Sequence, residues 1–314
     1  MSAETAFIEM LRGFATDPAA RGLMDDAAVL ELGGEHLVLS HDMIAEGVHY
    51  LPDDPPADVA WKLVAVNLSD LAAKGARPLG VLLGFTLGDE GWDAAFAEGL
   101  AAALAAFAVP LLGGDTISAP ARIFGLTAIG RTSGPVPSRT GARPGDQLWV
   151  TGTIGDAGAG LKALQGMLPR SDALIERYRN PRPRLEAGQR LAPIVTAMMD
   201  VSDGLLIDAA RMASASGCGI DIALDSIPLS DAFIAACGEA RLDAATAGDD
   251  YELLFAAKPV SAEALLALAE ELGLPFSPVG RCAGGAGLAL SEAGAPVPLP
   301  PSLGFEHHRG ATNG

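Results

Sequence analysis

Val66-Asn67-Leu68-Ser69-Asp70-Leu71-Ala72-Ala73-Lys74 is the stretch from which the fold is most directly read. It closes a longer pattern, Ala57 to Lys74, in which Val59, Leu63 and Val66 recur at helical spacing. Asn67, Asp70 and Lys74 fall at i, i+3 and i+7, so one face of the predicted helix carries all three. The remaining positions are largely apolar. A polar stripe on an otherwise buried helix needs partners, because unpaired buried charge is costly. A solvent-facing stripe is the plainer alternative.

Outward from this helix, strand-like and helix-like segments alternate. His36 to Ser40 is a short β-prone run ending at Asp42, and Val81 to Leu87 reads as a strand. Trp92 to Phe107 is an alanine-rich helix, Val109 to Leu112 runs into Gly113-Gly114-Asp115, and Ile123 to Gly130 is a further strand. Pro135 to Asp146 breaks the pattern with prolines and glycines and reads as a domain junction. Beyond it, Gln147 to Thr151 is strand-like, Gly155 to Leu168 helix-like, and Leu205 to Ser214 helical again. Two α+β domains fit this alternation, over residues 1–137 and 138–305. The polar residues 306–314 are expected to be a disordered tail.

Composition narrows the function. Of 314 residues, 49% are hydrophobic, enough for sizeable cores. The net charge of -18 argues against a nucleic-acid binder, which needs a basic surface. The most apolar segment, Leu100 to Leu112, is too short to span a bilayer. Met1 to Gly22 shows no signal-peptide pattern. Cys218, Cys237 and Cys282 lack metal-ligand spacing and read as thiols of a reducing compartment, so the cytoplasm is expected.

The recurring motif is an apolar run that ends in aspartate. Asp25-Asp26, Asp42, Asp115, and Asp200 with Asp203 all fit it. At strand ends such carboxylates would share one rim of a sheet, where ligands usually sit. Any one of them reads equally well as a turn residue. Together they suggest hard cations, since magnesium takes oxygen ligands. Acids alone would repel ATP; several cations between acids and phosphates reverse that sign. Gly113-Gly114-Asp115-Thr116 is expected to be a turn with exposed N–H groups, and Thr151 to Asp156 an anion cradle at a helix N-terminus. No glycine precedes a lysine anywhere, so the Walker A loop is missing.

These motifs, in this order, carry a resemblance. They are Asp25-Asp26-Ala27, Ser40-His41-Asp42 with Glu46 to His49, Val66 to Leu71, Gly113 to Thr116, and Arg139 to Ala142 with Pro144 to Asp146. Asp200 to Leu205, Gly248 to Leu253, and Gly304-Phe305 complete the set. The chain resembles the thiamine-monophosphate kinase family, in the wider group that includes aminoimidazole ribonucleotide synthetase, selenophosphate synthetase and a hydrogenase-maturation protein. The resemblance implies an aminoimidazole ribonucleotide synthetase-like fold, with an N-terminal α+β domain whose sheet pairs across a homodimer and a C-terminal α/β domain. It implies magnesium ligation by Asp26, Ser40, His41, Asp42, Asp70, Asp115, Asp200 and Asp203. It implies ATP contacts from Gly114, Asp115, Arg139 and Ser202, and thiamine-monophosphate contacts from His49, Asp249 and Phe305. His41 replaces the usual threonine, and Asp249 the usual glutamate. The implied reaction forms thiamine diphosphate from ATP and thiamine monophosphate with several Mg²⁺ ions. No general base is assigned. A sibling ATP-dependent enzyme of the group, or a non-catalytic nucleotide or metal sensor, are the alternative readings.

Overall fold

The computed structural model describes residues 3–307. Among them the strands form two sheets. Helix α1 (Ala3–Arg12) leads into the first sheet, built from β1 (Ala28–Leu32), β2 (Glu35–Ala45), β3 (Arg77–Leu87), β4 (Leu111–Ser118) and β5 (Ile123–Thr132). Its order is β1-β2-β5-β3-β4, with β4 parallel to β3 and the other pairs antiparallel. Two long helices, α2 (Pro56–Ala73) and α3 (Glu90–Ala106), pack against each other, and α2 covers one face of the sheet.

The second sheet contains β6 (Gln147–Thr151), β7 (Ala197–Val201), β8 (Gly219–Ala223), β9 (Glu252–Ala257), β10 (Phe276–Ala283), β11 (Gly287–Glu292) and β12 (Ala295–Val297). Its order is β12-β11-β8-β10-β6-β9-β7. Helices α4 (Asp156–Leu164), α5 (Asp172–Arg179), α6 (Leu185–Leu191), α7 (Leu205–Ser216), α8 (Asp231–Cys237), α9 (Arg241–Ala245) and α10 (Ala262–Leu272) connect its strands.

Helix α2 is the hinge of the architecture. From Val59 to Ala73 every residue except Trp61 is buried. Its apolar positions Leu63, Val64 and Leu68 join Val38, Ile44, Phe124 and Leu126 in the core of the first sheet. Its last turn, Ala72 and Ala73, belongs instead to a core with Leu191, Met198, Leu253 and Phe255 of the second. The helix is thus enclosed by both domains, and its polar stripe is buried between them. Two glycines permit this closeness. A Cβ on Gly99 would lie 2.3 Å from Ala57 Cα, and one on Gly188 would lie 1.9 Å from Ala72 O. The helix stops at Gly75 (φ 62°), whose N–H donates to Ala72 O at 3.0 Å, while Ala76 N–H donates to Leu71 O at 2.9 Å. That double closure is the Schellman geometry, which requires a left-handed residue and so favours glycine.

Two local expectations change. Gly113 and Gly114 form no turn; they lie inside edge strand β4, opposite Leu82 and Leu83. A Cβ on Gly114 would lie 1.9 Å from Leu83 O, so close strand packing accounts for that glycine. Asp42 sits within β2 rather than at its end. Of the tail, Glu306 and His307 are described, and residues 308–314 lie outside the described residues.

Candidate active site

The site is built on the polar stripe of α2. Asn67 and Lys74 are fully buried and Asp70 nearly so, which settles the stripe in favour of partners. Asn67 Oδ1 accepts the Asp42 N–H at 2.8 Å, and its Nδ2 donates to Leu63 O at 2.9 Å. It therefore fixes β2 where Ser40 and Asp42 face the helix. Ser40 Oγ donates to Asp70 Oδ2. From the second sheet, Asp200 at the end of β7 accepts from Ser69 Oγ at 2.6 Å. Oxygen atoms of Asp26, Asp70 and Asp200 come within 4.8 Å of one another.

Electrostatics divides this cluster. Burial works to raise Asp25, but Lys74 and then Arg21 outweigh it and hold the carboxyl down to about 2. Asp26 Oδ1 accepts from Arg139 Nε at 2.6 Å, and Lys74 Nζ lies 2.7 Å from its Oδ2. Asp70 and Asp200 form no ion pair among the described residues. Burial, followed by the Asp42, Asp200 and Asp26 carboxylates, pushes Asp70 well above the carboxylate range. Burial and then Asp26 raise Asp200 to about 8. Desolvation and then Asp26 also raise Asp42, although its side chain opens to solvent at the mouth of the site. Crowded carboxylates with raised affinity for protons are equally avid for a hard cation. Among the described residues the buried Asp26 Oδ2 has the Lys74 ion pair but no hydrogen bond, so it keeps lone pairs that an ion could share. These residues fit magnesium.

The strand period of two separates the remaining candidates. His41, between Ser40 and Asp42, turns its imidazole to the opposite face, 2.9 Å from Thr127 Oγ1. His41 pairs with Thr127, Thr127 with Leu82, and Gly84 with Asp115. By that register Asp115 shares the open face with His41. The structure therefore brings together Asp26, Ser40, Asp42, Asp70 and Asp200, and leaves the His41 and Asp115 side chains outside the cluster. Gly114 lies beside Asp115 on the exposed edge strand.

The Asp200–Gly204 loop is held by a residue that sequence reading passed over. Asp208, fully buried in the first turn of α7, accepts the N–H groups of Ser202 (3.1 Å), Asp203 (3.1 Å) and Gly204 (3.2 Å). Acid in a first helical turn is the available signal. Asp203 pairs with Arg211.

A second corner gathers the expected substrate residues. Lys62 Nζ donates to His49 O at 2.9 Å and to Asp249 Oδ2 at 2.8 Å, and lies 3.9 Å from the centre of the Tyr178 ring. Asp249 has φ 71° and Tyr251 φ 51°, a strained pairing of the kind found at functional sites. The His307 ring centre is 5.2 Å from that of His49 and 4.9 Å from that of Phe305. His49, Asp249 and Phe305 thus border one corner, with Lys62 and His307 as added members.

The expected cradle at Thr151 to Asp156 is not free. Asp250 accepts the N–H groups of Gly155 (2.7 Å) and Ala157 (3.3 Å), so the chain's own carboxyl group occupies that helix N-terminus.

The two-sheet fold with an acid cluster at its junction defines a class. Residues 24–132 match the family AIR synthase related protein, N-terminal domain, and residues 143–291 its C-terminal domain. The chain is 40% identical over 291 residues to a thiamine-monophosphate kinase of Salmonella typhimurium, covering 88% of each chain. The crystal structure of thiamine-monophosphate kinase from Stenotrophomonas maltophilia superposes with a TM-score of 0.78 at 37% identity, covering 93% of this chain and 96% of that one. AaThiL complexed with AMPPCP and TMP superposes with a TM-score of 0.83 at 28% identity, covering 96% and 97%. Within the AIR synthase related class, the chain belongs to the thiamine-monophosphate kinase family. No helix among the described residues is long and apolar enough to cross a membrane.

Proposed function

We propose that this chain transfers the terminal phosphoryl group of ATP to the phosphate of thiamine monophosphate, forming thiamine diphosphate. One observation carries the reading: the Asp200–Gly204 loop joins the two corners. Asp200 lies in the acid cluster, Ser202 O accepts the Asp249 N–H at 2.7 Å, and Asp203 O accepts the Phe305 N–H at 2.9 Å. Donor and acceptor phosphates can therefore meet across a single loop. AaThiL, a structural relative, was captured with AMPPCP and TMP.

Asp26, Asp70 and Asp200, with Ser40 and Asp42 beside them and Asp203 towards the substrate corner, would hold Mg²⁺. The ions, when bound, neutralise phosphate charge and polarise the transferring group. Arg139 offers a guanidinium fork that suits a phosphate. Ser202, on the same loop, would contact the nucleotide. His49, Asp249 and Phe305 border the acceptor, and an aromatic face suits a cationic thiazolium. The acceptor oxygen is anionic near neutral pH, so alignment and charge neutralisation suffice and no base is assigned.

We also propose a cytoplasmic homodimer, divided into domains at 137/138. The open face of the first sheet exposes Leu30, Leu32, Met43 and Leu82, and its edge strand exposes Leu111, Leu112 and Ile117. Such a patch marks an interface. Gly114 and Asp115 lie at that edge, so their expected roles fall beside the second copy; the His41 role reduces to its backbone oxygen.

The test is ATP consumption screened against thiamine monophosphate, free thiamine and aminoimidazole precursors. Turnover of an aminoimidazole precursor alone would identify a sibling enzyme. Nucleotide binding with no turnover of any acceptor would identify a sensor.

A further inference from the structure

Lys74 ends the polar stripe of α2, and the proposed transfer chemistry makes no use of it. Its side chain is 0% exposed. Lysine is almost never buried to that degree without a charged partner. The ammonium donates to Asp25 Oδ1 and, at 3.3 Å, to Met198 O on β7. It also lies 2.7 Å from Asp26 Oδ2, an ion pair without hydrogen-bond geometry. Lys74 therefore stands between Asp25, whose other oxygen takes Arg21, and Asp26, a candidate magnesium ligand. The opposite end of the cluster differs in kind. There, among the described residues, the Asp70 and Asp200 side chains receive only the hydroxyls of Ser40 and Ser69.

We propose that Lys74 is a resident cation of the carboxylate site: its fixed ammonium neutralises the Asp25–Asp26 end, leaving the Asp70–Asp200 end to divalent ions. The inference rests on reading this site as one that binds divalent cations for phosphoryl transfer. An ammonium carries one charge where Mg²⁺ carries two, and it cannot dissociate. It preserves the shape of the site between turnovers and competes with a metal for Asp26. Its place at the C-terminus of α2, where the helix dipole favours a cation, supports the same role.

The experiment measures Mn²⁺ binding to nucleotide-free protein, counting unbound Mn²⁺ by electron paramagnetic resonance, for wild type, Lys74→Met and Lys74→Gln. Methionine keeps the length of the side chain; glutamine keeps a donor for Asp25 and Met198 O. Both remove the charge. The expected result is Mn²⁺ binding at least ~10-fold tighter in both variants, since the freed carboxylates must find another cation. Their melting temperatures should fall in EDTA and recover with Mn²⁺. Mn²⁺ binding equal to or weaker than wild type in folded variants would overturn the proposal. So would a loss of melting temperature that Mn²⁺ does not restore, or variants that fail to fold with or without Mn²⁺, because Lys74 would then be a packing residue. Wild-type turnover of thiamine monophosphate is assayed alongside. Its absence would sink the kinase reading and leave the Mn²⁺ comparison to decide the role of Lys74; its presence with unchanged Mn²⁺ binding would sink the Lys74 inference alone.

Discussion

Lys62 Nζ lies 2.8 Å from Asp249 Oδ2, so a helix of the first domain grips the Asp249 loop of the second. The two partners are unequally placed, with side-chain exposures of 2% for Lys62 and 27% for Asp249. Removing one partner strands the other, and a stranded charge costs more where water cannot reach it. Asp249→Asn should therefore cost about 2 kcal/mol or more of stability, and Lys62→Met only about 1 kcal/mol, because Asp249 can hydrate. Urea unfolding of both variants checks this order; equal losses would show that the pair is not the latch described.

Asp42→Asn and Asp70→Asn should lower turnover by orders of magnitude while the protein remains folded. Each removes a ligand charge and leaves phosphate repulsion less screened. High Mg²⁺ should restore part of the loss. Steady-state kinetics across a Mg²⁺ series decides the point, and near-normal rates at low Mg²⁺ would make these acids bystanders.

Phe305→Ala should raise KM for thiamine monophosphate by roughly two- to thirtyfold, from an aromatic–cation contact of about 0.5–2 kcal/mol, with KM for ATP nearly unchanged. The His307 ring packs on both His49 and Phe305. Truncation after His307 should therefore be silent, whereas truncation after Phe305 should raise the same KM. Paired kinetics on the two truncations separates a contribution of Glu306 and His307 from one of residues 308–314.

Asp250 gives a pH prediction. Burial outweighs its hydrogen bond from Gly155 and, with Asp156 adding to it, holds its carboxyl well above the usual range. A raised folded pKa means that its contribution is complete below the unfolded value of about 3.9 and is lost as pH rises through the folded value. Asp250→Asn removes that titration. The stability of wild type relative to Asp250→Asn should then decline from pH 4 upwards, as read by urea midpoints across the series. A flat difference would contradict the shift.

How far the sequence reached depends on the range of each interaction. The α2 helix was legible because its apolar spacing and its polar stripe are both local. Ser40 and Asp42 share a face for the same reason, through the strand period. The same period turns His41 away, which a motif read as a unit conceals. Gly113-Gly114 looked like a turn, yet the packing of Leu83 against Gly114 explains the glycine instead. The helix N-terminus at Gly155 looked open because its occupant, Asp250, is supplied by a distant segment. Lys62 gave no signal, since its partners His49 and Asp249 meet it only in the folded chain.

The most direct test of the central claim is phosphorus NMR of purified protein incubated with Mg²⁺, ATP and thiamine monophosphate. The monophosphate resonance should disappear as the coupled pair of a thiamine diphosphate grows in step with ADP, while free thiamine gives no product. ATP consumed only to inorganic phosphate, or free thiamine phosphorylated with the monophosphate left untouched, would contradict the account.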